Sequence, residues 1–297
     1  VSLNENLTSW PVPNEKNITI DFNGYKINKL TNNGILKLID NKNVGGIYLT
    51  SSISETALAL ANYGSLTIDN ININVYSGEI YAFLGLNGAG KTTTIKMLTC
   101  LLKPTSGDAL INGLDINTKK DKIKEIVSIS PQESAFAPNL NIYQNLVFMG
   151  RIYSLTKRQA DERAKELIKE FDLTKHEKKK AKNLSGGLKR RLSIAMAIIS
   201  KPKILFLDEP TLGLDVISRH NLWNEINKIK EYTTIILTTH FLDEAEKLAD
   251  RVGIISNGKL VIEDSVNNIK EYTHENTLEN AFIKLVGEAN YENDSIC

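Results

Sequence analysis

The sequence predicts an α/β fold, and three observations carry that reading. Short apolar runs at Ile80 to Leu84, Ile126 to Ile129, Ile204 to Leu207 and Thr234 to Leu237 have the length of buried strands. Stretches with helical spacing separate them, and that alternation implies a mainly parallel sheet with right-handed crossovers. A glycine-rich loop joins the first of these strands directly to a helical stretch, an arrangement typical of α/β sheets that bind ligands at their strand ends.

Taken in order, residues 1–55 differ in texture from the rest. They are rich in Asn and carry no recognisable motif. The runs Ile18 to Phe22 and Ile35 to Ile39, bounded by Asn23-Gly24 and Asn33-Gly34, predict short strands and turns in an appendage of unknown role. Residues 66–76 alternate apolar and polar, which predicts one half-buried strand, and Ser77-Gly78 turns it into Ile80 to Leu84. A helix is expected over Thr92 to Leu102, stopping before Lys103-Pro104. Residues 156–171 form an amphipathic pattern with Thr156 as N-cap and Ala160, Ala164, Leu167, Ile168 and Phe171 on one face. Further helical spacing spans Ile217 to Ile229 and Leu278 to Val286, with a polar tail at 288–297. No internal repeat is legible.

Composition narrows the function classes. Across 297 residues, 41% are hydrophobic and 24% charged, which excludes a wholly disordered chain. The net charge of +1 supplies no global field for a nucleic-acid backbone, so no nucleic-acid partner is expected. Charged or amide residues interrupt every apolar stretch short of a membrane span, and the first thirty residues lack a secretory signal pattern. These features predict a cytoplasmic chain. Two cysteines, Cys100 and Cys297, are too few for a disulfide framework, and Cys100 reads as a small core residue.

The chemistry begins at Gly85-Leu86-Asn87-Gly88-Ala89-Gly90-Lys91-Thr92, which matches G-x-x-x-x-G-K-[ST] between a buried strand and a helix. Glycines let the backbone curl so that successive N–H groups face phosphates, and the helix adds its positive N-terminal end. Lys91 is placed to reach the β- and γ-phosphates of a bound nucleotide, Thr92 to offer a hydroxyl to Mg²⁺, and Thr93 to bond on the α-phosphate side. Ile204 to Leu207 ends in Asp208-Glu209-Pro210. On a parallel strand these carboxylates emerge beside the phosphate loop, Asp208 suited to hold the metal's water and Glu209 to orient the attacking water.

Between these motifs lies Leu184-Ser185-Gly186-Gly187-Leu188-Lys189-Arg190-Arg191-Leu192. Ser185, Gly186 and Gly187 open a helix and form a second anion-binding N-terminus, which one phosphate loop does not need for itself. Here the sequence resembles the ATP-binding cassette (ABC) ATPases over roughly residues 56–287, where LSGG before a basic helix is the signature. The resemblance implies a P-loop cassette with a RecA-like core sheet, an antiparallel β subdomain and a helical subdomain at about 133–184. It also implies that Gln132 contacts metal and water, that Asp215 in Gly213-Leu214-Asp215 crosses a dimer seam, that His240 contacts the γ-phosphate, and that Tyr63 stacks on adenine. The position after LSGG is often Gln in the family and here is Leu188.

The same resemblance implies partners. A second cassette, identical or different, would close its signature on the ATP held by the first, and an integral membrane permease would dock in a groove within Ala135 to Tyr153. The chain would then sit on the inner face of the cell membrane through that permease. "LSGGLKRRL", "TLGLD" and "TTHFLDEAEKLADRVGIISNGKL" look like the cassettes of exporters of drug, peptide or lipid-like substrates. The competing class, non-transport cassettes in translation or nucleic-acid maintenance, is disfavoured by a single motif set, no long coiled-coil insertion and near-zero charge.

Overall fold

The computed structural model describes six short segments between residues 10 and 47, and residues 64–294 apart from 69–70, 105–106 and 134. The chain separates into two compact units, Val1–Ala61 and Asn62–Cys297. In the first, β1 (Trp10–Val12), β2 (Asn17–Asp21) and β3 (Lys26–Ile27) pair in parallel with β4 (Leu30–Asn32), β5 (Ile35–Ile39) and β6 (Gly46–Ile47). Trp10 lies opposite Leu30, Asn17 opposite Ile35 and Lys26 opposite Gly46, so the chain returns beside itself after 20, 18 and 20 residues. The expected strands are present. The near-regular return is a backbone repeat that residue identities do not reveal, because ladder hydrogen bonds need no repeated side chains.

The second unit opens with a hairpin, β7 (Gly64–Ile68) and β8 (Ile71–Val75), where one strand over 66–76 is expected. Both halves keep the period of two, so the alternation survives the reversal. β9 (Ile80–Leu84) and α1 (Lys91–Leu98) follow. The helix stops four residues short of Leu102, because Cys100 turns left-handed at φ 57 and the amides of Leu101 and Leu102 fold back onto the Lys96 carbonyl. β10 (Asp108–Ile111) and β11 (Leu114–Asp115) complete a four-stranded sheet in the order β11-β10-β7-β8.

The core sheet takes β9, β12 (Val127–Ser130, after α2 at Lys120–Ile126), β13 (Ile204–Asp208), β14 (Thr234–Thr239), β15 (Arg251–Ser256) and β16 (Lys259–Asp264). Its order is β12-β13-β14-β9-β15-β16, parallel except for the last strand. Alternation sorts its side chains between two cores. Ile80, Ala82, Leu84, Leu205, Leu207, Ile235 and Leu237 join one, while Tyr81, Phe83, Phe206 and Ile236 join the other with Ile95 and Leu98 of α1.

The first core also receives α3 (Ile142–Ile152), α4 (Lys157–Glu170), α5 (Gly186–Ala197), α6 (Val216–Lys230), α7 (Leu242–Leu248), α8 (Val266–Thr273) and α9 (Leu278–Asp294). In α4 the expected Thr156 cap is present, and Gln159 returns a bond to the Thr156 amide to close a capping box. Among the described residues, no helix is long and apolar enough to cross a membrane.

Candidate active site

Parallel register assembles the site. Leu84 lies beside Thr239, Thr238 beside Asp208, and Leu207 beside Ser130, so four strands end in one row. The residues that follow them, Gly85, Glu209, His240 and Pro131, therefore leave the sheet along the same edge, where a doubly wound sheet offers its crevice.

The phosphate loop has the backbone its motif requires. Gly88 and Gly90 adopt φ of 85 and 108, a region that side chains disfavour. Gly85 is needed for space, since a Cβ there would stand 2.4 Å from the Ile255 carbonyl oxygen. Leu86 and Asn87 are exposed on the loop, and Ala89 is buried beneath it. Lys91 is 5% exposed, and its Nζ donates to the carbonyls of Gly85 at 2.7 Å and Leu86 at 3.1 Å. Burial lowers its pKa, opposed by the neighbouring Glu209 carboxylate.

Around it the carboxylates are fixed. Asp208 Oδ1 accepts from Thr92 Oγ1 at 2.9 Å and from Thr238 Oγ1 at 2.6 Å. Glu209 turns left-handed at φ 48, and its amide donates to both the carbonyl and the hydroxyl oxygen of Thr238. Its two carboxylate oxygens are held separately, one 3.5 Å from Lys91 Nζ and the other 2.7 Å from His240 Nδ1. Thr93 and Gln132 are exposed. Tyr63 lies outside the described residues.

The signature forms the start of α5. Ser185 caps it, accepting from the Leu188 amide at 3.4 Å. A Cβ on Gly187 would meet the Ser218 hydroxyl at 3.0 Å, while one on Gly186 would only touch Leu214. Ser218 in turn bonds Asp215, which caps α6 by accepting from the Ser218 amide and hydroxyl at 2.9 and 2.7 Å. Those bonds hold the Asp215 carboxyl below its usual range. Gly187 is thus packed against Ser218 of the Asp215 turn within one chain, while Ser185 and Gly186 are exposed.

Two residues missed in the sequence complete the network. Thr238 joins Asp208 to Glu209, and only the β13–β14 register reveals it. Arg190 is buried and bonds the carbonyls of Asp208, Pro210 and Pro131. A signal exists for it: Arg190 stands three residues after Gly187 and four before buried Ile194, on the inward stripe of α5 where a charge is unusual.

Comparison with known proteins agrees with this architecture. Residues 68–212 match the family model described as ABC transporter. The daunorubicin/doxorubicin resistance ATP-binding protein DrrA of Streptomyces peucetius is 39% identical over 77% of this chain and 70% of its own length. The chain belongs to the ABC transporter ATP-binding proteins. It is an ATPase cassette, in a family that couples ATP hydrolysis to transport. The human phospholipid-transporting ATPase ABCA3 is also 39% identical, over 68% of this chain but only 12% of its own length. Among solved structures, an ATP-binding subunit of an ABC transporter superposes with a TM-score of 0.65 at 27% identity, covering 75% of this cassette chain and 98% of that one. The cbiO1 protein of Clostridium perfringens, part of the ABC transporter complex cbiONQ, gives 0.61 at 27% identity over 68% and 86%.

Proposed function

We propose that this cassette powers a membrane exporter, binding two ATP molecules at the seam of a cassette dimer and hydrolysing them to reset a separate permease. The single observation that supports hydrolysis best is Glu209 held from both sides by Lys91 and His240, next to an Asp208–Thr92 pair. In this reading Gly85, Leu86, Asn87, Gly88, Ala89, Gly90 and Thr93 cradle the phosphates by backbone and hydroxyl groups, and Tyr63 stacks on the base. Lys91 leaves the loop carbonyls for the β- and γ-phosphates. Glu209 orients the attacking water and takes its proton, while His240 holds Glu209 in place and faces the γ-phosphate.

Mg²⁺ fits the donors present: Thr92 Oγ1 and Asp208 Oδ1 are hard oxygens 2.9 Å apart at the loop's end, with Gln132 following the adjacent strand. When bound, it would neutralise charge developing on the phosphate oxygens. Ser185, Gly186 and Gly187 would approach the γ-phosphate of ATP held by the partner cassette, with Asp215 at the seam. The cassette occupies 56–287 in this proposal, with its helical subdomain at about 133–184, an appendage at 1–55 and a tail at 288–297.

In this proposal the permease docks on the helical subdomain. Of the apolar residues there, Leu146 is core and Phe136, Tyr143 and Met149 pack against it, whereas Phe148 is 53% and Ile152 57% exposed on α3. Export of a drug-like or lipid-like substrate is supported by the named activities of the resistance protein and of the phospholipid-transporting ATPase. The test is nucleotide binding and turnover together. Lys91→Ala should weaken ATP binding at least tenfold, and His240→Ala should keep binding while losing at least tenfold in turnover; unchanged affinity in the first or unchanged turnover in the second contradicts the assignment.

A further inference from the structure

Arg190 is 5% exposed and, among the described residues, carries a charge with no carboxylate in hydrogen-bonding contact. Its donors go to backbone carbonyls on two separate connections. Nε donates to Pro210 O at 2.8 Å, Nη2 to Asp208 O at 2.8 Å and Nη1 to Pro131 O at 2.5 Å. The first two flank Glu209, the residue that turns left-handed on leaving β13. The third belongs to the residue before Gln132. A planar guanidinium can reach three acceptors in different directions at once, which a single ammonium nitrogen cannot reproduce from the same place.

The energetics favour a specific role over filler. Burial pulls the guanidinium pKa down to about 10, so the charge is held against desolvation, with Glu244, Asp208 and Glu209 opposing the shift through space. An apolar residue of similar length would avoid that penalty but leave three carbonyls without their donor. A left-handed Glu needs its neighbours held, because its conformation is disfavoured by sterics.

We propose that Arg190 is a positioning residue for ATP hydrolysis, clamping the Glu209 turn and the Pro131–Gln132 connection to helix α5 so that the signature helix and the hydrolytic carboxylate keep one fixed relation. The proposal rests on the reading of Glu209 and Gln132 given above. Arg190 touches neither nucleotide nor water in this account; it acts through the two connections it bonds.

The test uses the full chain with Arg190→Lys and Arg190→Met, measuring steady-state ATP turnover and amide hydrogen exchange. Both variants should lose at least tenfold in kcat with KM for ATP within twofold of the parent. The amides of Glu209, Thr211 and Leu212 should exchange at least tenfold faster, while those of β14 and α6 stay within twofold. Unchanged exchange at 209–212 in a folded variant, or acceleration spread evenly over the whole unit, overturns the proposal. Should Arg190→Met fail to fold, Arg190→Lys, which keeps charge and length, decides the matter. The exchange arm separates this clamp from the assignment of the base: if Glu209 is not the base, kcat is unmoved while exchange at 209–212 still rises, and if the clamp is absent, exchange is unmoved whatever the turnover.

Discussion

At the scale of single residues, the site depends on small groups in fixed places. Thr238 is fully buried and serves Asp208 and the Glu209 amide with one hydroxyl. Thr238→Val keeps the shape and removes both bonds, so it should cost about 1–2 kcal/mol of stability, read as a lower urea midpoint, and should slow turnover as Glu209 loosens. Gly85→Ala brings a Cβ against the Ile255 carbonyl, a backbone atom that cannot swing aside. The loop must shift instead, and ATP affinity measured by calorimetry should fall at least tenfold. The phosphate loop and the Asp208-Glu209 pair were legible in the sequence as compact motifs at strand ends, whereas His240 was marked only by the family resemblance. Thr238 and Arg190 were not, since their partners lie across a sheet register and on two separated connections.

At the scale of elements, local signals and tertiary register divided the information. The buried strands β9, β13 and β14 appear within two residues of their apolar runs, because a continuous apolar stretch of that length, bounded by turns, has few other homes. The Thr156 cap was legible too, and the reciprocal Gln159 bond completes it. Thr156→Ala should destabilise the unit by about 1 kcal/mol, seen as a lower thermal midpoint with ATP turnover preserved. The β7–β8 reversal was concealed because two antiparallel strands joined closely keep the same alternation as one long strand. The parallel returns within Val1–Ala61 were concealed for a different reason: they are set by backbone pairing between segments 18 or 20 residues apart.

At the scale of the whole molecule, the balance of buried charge gives the cassette a pH-dependent stability. Glu225 on α6 is buried 3.2 Å from Arg191, and burial still pushes its carboxyl up to about 7 against the pull of Arg191. The folded state therefore binds a proton more tightly than the unfolded chain, so this group favours folding at low pH and loses that contribution as pH rises from about 4.5 to about 7. Urea midpoints taken across that window should show a falling component, and Glu225→Gln should flatten it. An identical slope in the variant would show that Glu225 does not supply it.

The central claim at this scale is that two cassettes close on ATP and that Glu209 opens them by hydrolysis. The direct measurement is Glu209→Gln with Mg²⁺ and ATP, followed by light scattering on a sizing column and by phosphate release. The account predicts retained ATP binding, turnover reduced at least a hundredfold and a stable ATP-dependent dimer. Near-normal phosphate release, or a chain that stays monomeric with ATP bound, would contradict it.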